Sequence, residues 1–196
     1  MTISPIFRSS VMVLALAAAT TAGSASAAEY VIDTEGAHAS INFRVNHLGF
    51  SWLTGRFNDF TGQFNYDPDS PEDAQISVTI DTASIDSAHE ERDEHLRSAD
   101  FLHVEQHPQA EFTSTSYQPT GDNTAVMEGD FTLNGVTRTI RLDVEKIGQG
   151  QDPWGNERVG FSAVTDFQLK DYGIDYDLGP DSETVYLTLE VEGIRQ

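Results

Sequence analysis

The chain has 196 residues, no cysteine, 11 Lys or Arg against 32 Asp or Glu, and a formal net charge of −21. Such a surface repels nucleic acid and anionic lipid headgroups, and nucleic acid is not expected as a partner. Without cysteine there is no disulfide, no thiol nucleophile and no lipidated cysteine, and a chain that is 38% hydrophobic is not a disordered one.

The first residues read as an export leader. Arg8 precedes an uncharged apolar run over residues 11–19, and Ala25-Ser26-Ala27 supplies a small-x-small cleavage pattern. Residues 1–27 are therefore expected to be removed, although a cut after Ala28 satisfies the same rule. The run is too short for a permanent membrane anchor, and no later segment is apolar enough to be one. The expectation is a periplasmic protein with a single domain over residues 28–196. Losing Arg8 leaves 10 basic residues against 32 acidic ones, a net charge of −22.

From there the dominant signal is alternation with period two, the mark of a half-buried strand. Ala39, Ile41, Phe43, Val45 and His47 share one face, and Ser40, Asn42, Arg44 and Asn46 the other. Phe60, Phe64 and Tyr66 form an aromatic strand around Gly62. Ala74, Ile76, Val78 and Ile80 repeat the alternation. Ser87 followed three residues later by Glu90 reads as a capping box. It opens a short, heavily charged helical segment over residues 91–102, on which Ala88, Arg92, Leu96 and Ala99 fall near one face. That stripe is too weakly apolar for a core helix. It suits a helix lying across a barrel end, with an inward Arg92 that needs a carboxylate or several carbonyls.

Ala110 and Phe112 begin the next strand. Ala125, Met127, Gly129, Phe131 and Leu133 form another, which Asn134-Gly135 turns into Ile140, Leu142 and Val144 through a type I′ hairpin. Val159, Phe161, Ala163, Thr165, Phe167 and Leu169 follow, then Val185, Leu187, Leu189 and Val191. Eight or nine such antiparallel strands must bury their apolar faces together. Long strands favour a closed barrel, which also abolishes the edges.

Candidate chemistry is sparse. His103 and His107 are four apart, a zinc spacing on a helix, but Pro108 follows and the helix should already have ended. His38 and His89 read as surface or turn residues. Asp171, Asp175, Asp177, Asp181 and Glu183 crowd one loop without the spacing of a calcium-binding loop, and read as solvated. There is no GxSxG elbow, GxGxxG or P-loop. No catalytic residue, metal site or cofactor is expected.

Tyr30-Val31-Ile32-Asp33, the run from His38 to Gly49, Thr54-Gly55-Arg56-Phe57, the run from Arg92 to Leu102 with Pro108 and Phe112, Leu133-Asn134-Gly135-Val136-Thr137, Gly160-Phe161 and Asp171-Tyr172-Gly173-Ile174 follow one another in this order. Together these segments resemble the YceI-like family of exported polyisoprenoid-binding proteins. Lys170 stands where the family commonly has arginine, and Asn134 where it often has histidine. The resemblance implies a mainly β fold: a lipocalin-like antiparallel β-barrel of about eight strands with one short inserted helix. It also implies an elongated apolar cavity for a polyprenyl phosphate, a polyprenol or an isoprenoid quinone. On strand face, Ile41, Phe43, Val45, Phe64, Phe131, Phe161 and Phe167 are the expected lining, with His47 and Trp52 at the mouth. The few cations, with Arg44, Arg56, Arg92, Arg97 and Lys170 the candidates for a headgroup, favour a neutral headgroup over a diphosphate. The expected function is binding, for transport or storage of an isoprenoid lipid, and not catalysis. Two other readings stay open on sequence alone: a barrel-shaped enzyme for a small hydrophobic substrate, and a stress-related periplasmic interaction protein with a packed interior. The oligomeric state is also open, a dimer included.

Overall fold

The computed structural model describes residues 27–179 and 182–196. The expected leader, apart from Ala27, and Asp181 of the acidic loop lie outside the described residues. In chain order the elements are β1 (Ala28–Ile32), β2 (Ser40–His47), β3 (Ser51–Phe57), β4 (Phe60–Tyr66), β5 (Gln75–Asp81), β6 (Ile85–Asp86), α1 (Glu90–Arg97), β7 (Gln109–Pro119), β8 (Thr124–Leu133), β9 (Val136–Gln151), β10 (Glu157–Gln168) and β11 (Thr184–Arg195).

Every strand pairing is antiparallel, and β1, β4, β5, β7, β8, β9, β10 and β11 close into a ring of eight through the pairing of β11 with β1. The expected barrel is thus present. Alternation decides its inside. In β8, Ala125, Met127, Phe131 and Leu133 are buried, while Glu128 and Asp130 between them are exposed. One edge of β11 serves two partners. Its last residues pair with β1, Ile32 opposite Gly193, and its first half pairs with β2, Val45 opposite Val185. From β2 the sheet continues to β3 and the two-residue β6. The end that carries the β9–β10 hairpin and the C-terminus is called upper here. The end with the β2–β3 and β8–β9 hairpins is lower.

The Asn134-Gly135 hairpin forms as expected. Both central residues have positive φ, 50° and 73°, and Leu133 pairs with Val136. The helix starts differently from its expected capping box. His89 is the N-cap, its Nδ1 accepting from the Arg92 N–H at 3.3 Å. Ser87 lies outside the helix and is held by buried Asp93, which accepts from its N–H at 2.9 Å and from its hydroxyl. With the N-cap at His89, Glu90 is the first helical residue and not the third, so the box has no N3 carboxylate and Ser87 pairs with Asp93 instead. Arg92 takes up a hydroxyl and a carbonyl, donating from Nε to Ser87 Oγ and from Nη2 to the Ser87 carbonyl, each at 2.7 Å. Arg97 donates to the carbonyls of Ala83 and Ile85. The helix is thereby stitched to the strand before it, and its Leu96 faces the barrel's lower interior. No helix among the described residues is long and apolar enough to cross a membrane.

Candidate functional site

The inward faces of the strands do not fill the barrel. Two narrow cavities lie end to end along its axis, with volumes of about 110 Å³ and about 100 Å³. Ile41, Ile80, Phe131 and Leu187, from β2, β5, β8 and β11, border both cavities and form a collar between them.

The upper lobe is aromatic. Phe64 stacks on Tyr30 at 5.1 Å between ring centres, and Phe161 meets Phe64 and Tyr66 edge-on at 5.8 and 5.2 Å. Tyr117 and Met127 also line this lobe, and burial pushes the Tyr117 phenol above its ordinary pKa. The lower lobe is lined by apolar side chains throughout, Phe43, Val45, Phe57, Leu102, Phe167 and Val185 among them. Burying apolar carbon gains about 0.8 kcal/mol per CH₂, and with no ionisable group on its wall this lobe has nothing to offer a charged guest.

Of the residues singled out on strand face, Phe64 and Phe161 border the upper lobe, Phe43, Val45 and Phe167 the lower, and Ile41 and Phe131 both. The two mouth residues are placed elsewhere. His47 ends β2 exposed, opposite Ser51, and borders neither lobe. Trp52 is on the outer face. It pairs with the outward Asn46, is 47% exposed, and meets Tyr186 edge-on at 5.5 Å, with the Arg44 guanidinium 4.5 Å above its ring. The reason is register. The three-residue connection from His47 to Ser51 sets which β3 residues point inward, and these are Leu53, Gly55 and Phe57. Ile80 and Leu187, which border both lobes, are not among the lining residues expected on strand face, although the alternation of their strands turns both inward.

Outside the cavity, the upper rim carries the densest ionic cluster. Arg158 Nη1 lies 2.6 Å from both Asp33 Oδ2 and Glu192 Oε1, and its Nε 2.6 Å from Asp152 Oδ2. His38 Nδ1 adds a contact to Asp33 at 2.9 Å. Asp33, His38 and Glu192 bring their ligand atoms within 4.8 Å of one another. The Arg158 guanidinium already bonds both carboxylates, so the cluster reads as a junction between β1, β10, β11 and the β9–β10 hairpin. His103 and His107 meet edge-on at 5.9 Å and join no three-ligand cluster among the described residues.

Comparison with known proteins agrees with this architecture. A UPF0312 protein of Ectopseudomonas mendocina is 51% identical over 191 residues, covering 97% of this chain and all of that protein. The crystal structure of the Campylobacter jejuni YCEI protein superposes with a TM-score of 0.71 at 30% identity, over 78% of this chain and 90% of that one. A polyisoprenoid binding domain from Saccharophagus degradans, 16% identical, shares the fold with a TM-score of 0.65 over 87% of this chain and all of that domain. The YceI-like domain itself is matched over residues 30–193, and the chain belongs to the YceI-like family.

Proposed function

We propose that the barrel binds an isoprenoid lipid in its two-lobed interior and carries or stores it in the periplasm. The observation that carries this reading is the pair of apolar lobes in line along the axis, met only at a collar of four side chains. A flexible, branched hydrocarbon chain can follow a narrow apolar interior divided by four side chains more readily than a rigid ring system can. A few isoprene units give enough buried carbon to outweigh the cost of ordering the chain. A barrel of this fold in Saccharophagus degradans is a polyisoprenoid binding domain, which supports the same class of guest. The leader-like residues 1–27 support export.

The placement of the cations supports a neutral end group, a quinone or a prenol, over a prenyl diphosphate. Arg92 and Arg97 are engaged by the chain around Ser87 and by the Ala83 and Ile85 carbonyls, Lys170 faces Glu183 at 3.6 Å, and Arg44 lies over Trp52. The absence of ionisable side chains from the lower lobe's lining supports binding over catalysis. The test is solvent extraction of the purified protein followed by mass spectrometry. A co-purifying prenyl quinone or prenol is expected. A prenyl phosphate would overturn the neutral end group, and a protein that carries no isoprenoid and takes up none on titration would overturn the reading as a whole.

A further inference from the structure

The β2–β3 hairpin puts apolar side chains where a turn normally carries polar ones. Phe50, at its tip, is 87% exposed, and Leu48 and Trp52 on either side of it are exposed as well. The tip is held in shape. The His47 carbonyl accepts from the Phe50 N–H at 2.9 Å, and Asn46 Oδ1 accepts from the Gly49 N–H at 2.6 Å. Leu48 has a φ of 54°, in the left-handed region where asparagine or glycine costs less. Turn chemistry therefore accounts for Asn46 and Gly49, and not for Leu48 and Phe50. Behind the tip, on the outer face, the Arg44 guanidinium lies 4.5 Å above the Trp52 ring and 5.4 Å from that of Tyr186. An apolar tip followed by a band of Trp, Tyr and Arg matches, in order, the hydrocarbon edge and the headgroup level of a bilayer.

Charge singles out the same hairpin. Residues 36–58 carry Arg44 and Arg56 and no Asp or Glu, in a chain with 32 acidic residues. The upper end offers the contrast. Trp154, 80% exposed on the β9–β10 hairpin, lies between Asp152 and Glu157, and Asp152 Oδ1 accepts from its N–H at 2.9 Å. Carboxylates beside an indole oppose its entry into an apolar phase. Next to the lower tip, Asp175 and Asp177 on the neighbouring loop limit entry to the tip itself. A second copy is a poor occupant, because it brings together two chains of net charge −21, and three side chains do not supply the roughly 800 Å² per partner of a stable protein interface. A bilayer needs no such area, since each apolar side chain that enters contributes by itself. The hairpin also adjoins the barrel interior. Val45 lines the lower lobe, as does Leu178, whose neighbour Gly179 is so close to Leu48 that a Cβ there would fall 2.5 Å from Leu48 Cδ2.

We infer that the β2–β3 hairpin is a membrane-docking tip, with Phe50 and Leu48 entering the edge of a lipid bilayer and Trp52 and Arg44 at its headgroups while the barrel collects or delivers its lipid. This role rests on the isoprenoid reading, because a lipid of that class resides in a bilayer. The protein purified after export is floated with vesicles of phosphatidylcholine, a neutral lipid that the acidic surface does not repel, alongside Phe50→Ser and Trp154→Ser. Each protein is also melted, and titrated in solution with a short-chain ubiquinone. The unaltered protein and Trp154→Ser are expected to float. Phe50→Ser should lose about tenfold or more in vesicle affinity, the effect of withdrawing one Phe side chain from an apolar phase. Its melting temperature and ubiquinone affinity should not change, because Phe50 is exposed and borders neither lobe. An unaltered protein that stays off the vesicles, undiminished flotation of Phe50→Ser, or an equal loss in Trp154→Ser would overturn the docking tip, and ubiquinone uptake would then still support the isoprenoid reading. Flotation without ubiquinone uptake would overturn that reading and leave the tip a membrane contact. A dimer that Phe50→Ser dissociates, with no vesicle binding, would overturn the bilayer in favour of a second copy.

Discussion

Arg158 holds three separate stretches of chain with one guanidinium: Asp33 after β1, Asp152 in the β9–β10 hairpin and Glu192 on β11. Its planar fork suits several carboxylates at fixed angles, which a lysine does not reproduce. The same contacts act on the acids. The Arg158 guanidinium, then the His38 ring, hold the Asp33 carboxyl at about 2, below its ordinary 3.8, and Arg158 lowers Asp152 as well. A carboxyl with a depressed folded-state pKa stabilises the fold fully above its unfolded value, and that contribution disappears as pH falls through the folded value. For Asp33 the window runs from about 4 down to about 2. Arg158→Met should therefore lower the urea midpoint at pH 7, and the gap to the unaltered protein should shrink between pH 4 and pH 2. Urea melts at pH 7, 4 and 2.5 test this, and a gap that stays constant with pH would show that Arg158 does not hold these carboxylates. At the same scale, Trp52 shows why side-chain character does not locate a residue. An amphipathic indole suits a half-wet mouth and an outer surface equally, and only the length of the β2–β3 turn decides between them.

Among the elements, β11 carries the closure. Its lower half supports β2 and its upper end meets β1, so the barrel closes where Gly193 lies opposite both Ile32 and Val159. The glycine is there for space. A Cβ at 193 would fall 2.4 Å from Phe64 Cζ and 2.9 Å from Tyr30 Cβ. Phe64 cannot turn aside freely, because it stacks on Tyr30 and meets Phe161. Gly193→Ala should cost about 1–3 kcal/mol of stability, as overpacked cores do, and should disturb the near-UV dichroism of the upper-lobe aromatics. A variant within experimental error of the original in denaturant melts would show that the upper lobe yields. Much of this architecture was legible in the sequence. Alternation assigned the faces of β2, β5, β8, β9, β10 and β11, and Asn134-Gly135 placed the hairpin between Leu133 and Val136. The closure was not legible, because the alternation of β11 is readable only to Val191 while the residues that meet β1 are Gly193, Ile194 and Arg195. Nor was the divergence of β9 from β10, whose pairing ends at Asp143 opposite Val164, because alternation states which way a side chain points, not where two ladders part.

For the whole molecule, the dominant long-range force is repulsion among 32 acidic residues. They are unevenly spread. Residues 36–58, which contain the β2–β3 hairpin, hold no Asp or Glu, and the next longest such interval after the leader is 131–142. Over the rest of the surface, like charges face one another, and folding brings them closer than they lie in the extended chain, so self-repulsion opposes the compact state. Screening relieves it. At about 10 mM salt the Debye length is about 30 Å, the scale of the barrel, whereas near 0.5 M it falls to roughly 4 Å, shorter than most distances between surface carboxylates. The Arg158 junction works in the opposite sense, since salt weakens attractions too, but its charges are mostly buried and screen less. The repulsive sum should win. Raising sodium chloride from about 10 mM to about 0.5 M is expected to raise the melting temperature by roughly 3–8 °C, the shift that about 1–2 kcal/mol produces in a domain of this length. A scanning calorimetry series at constant pH measures it, with Arg158→Met as a control that should gain at least as much. A melting temperature that stays flat or falls would mean that the attractive pairs on this surface already offset the repulsion.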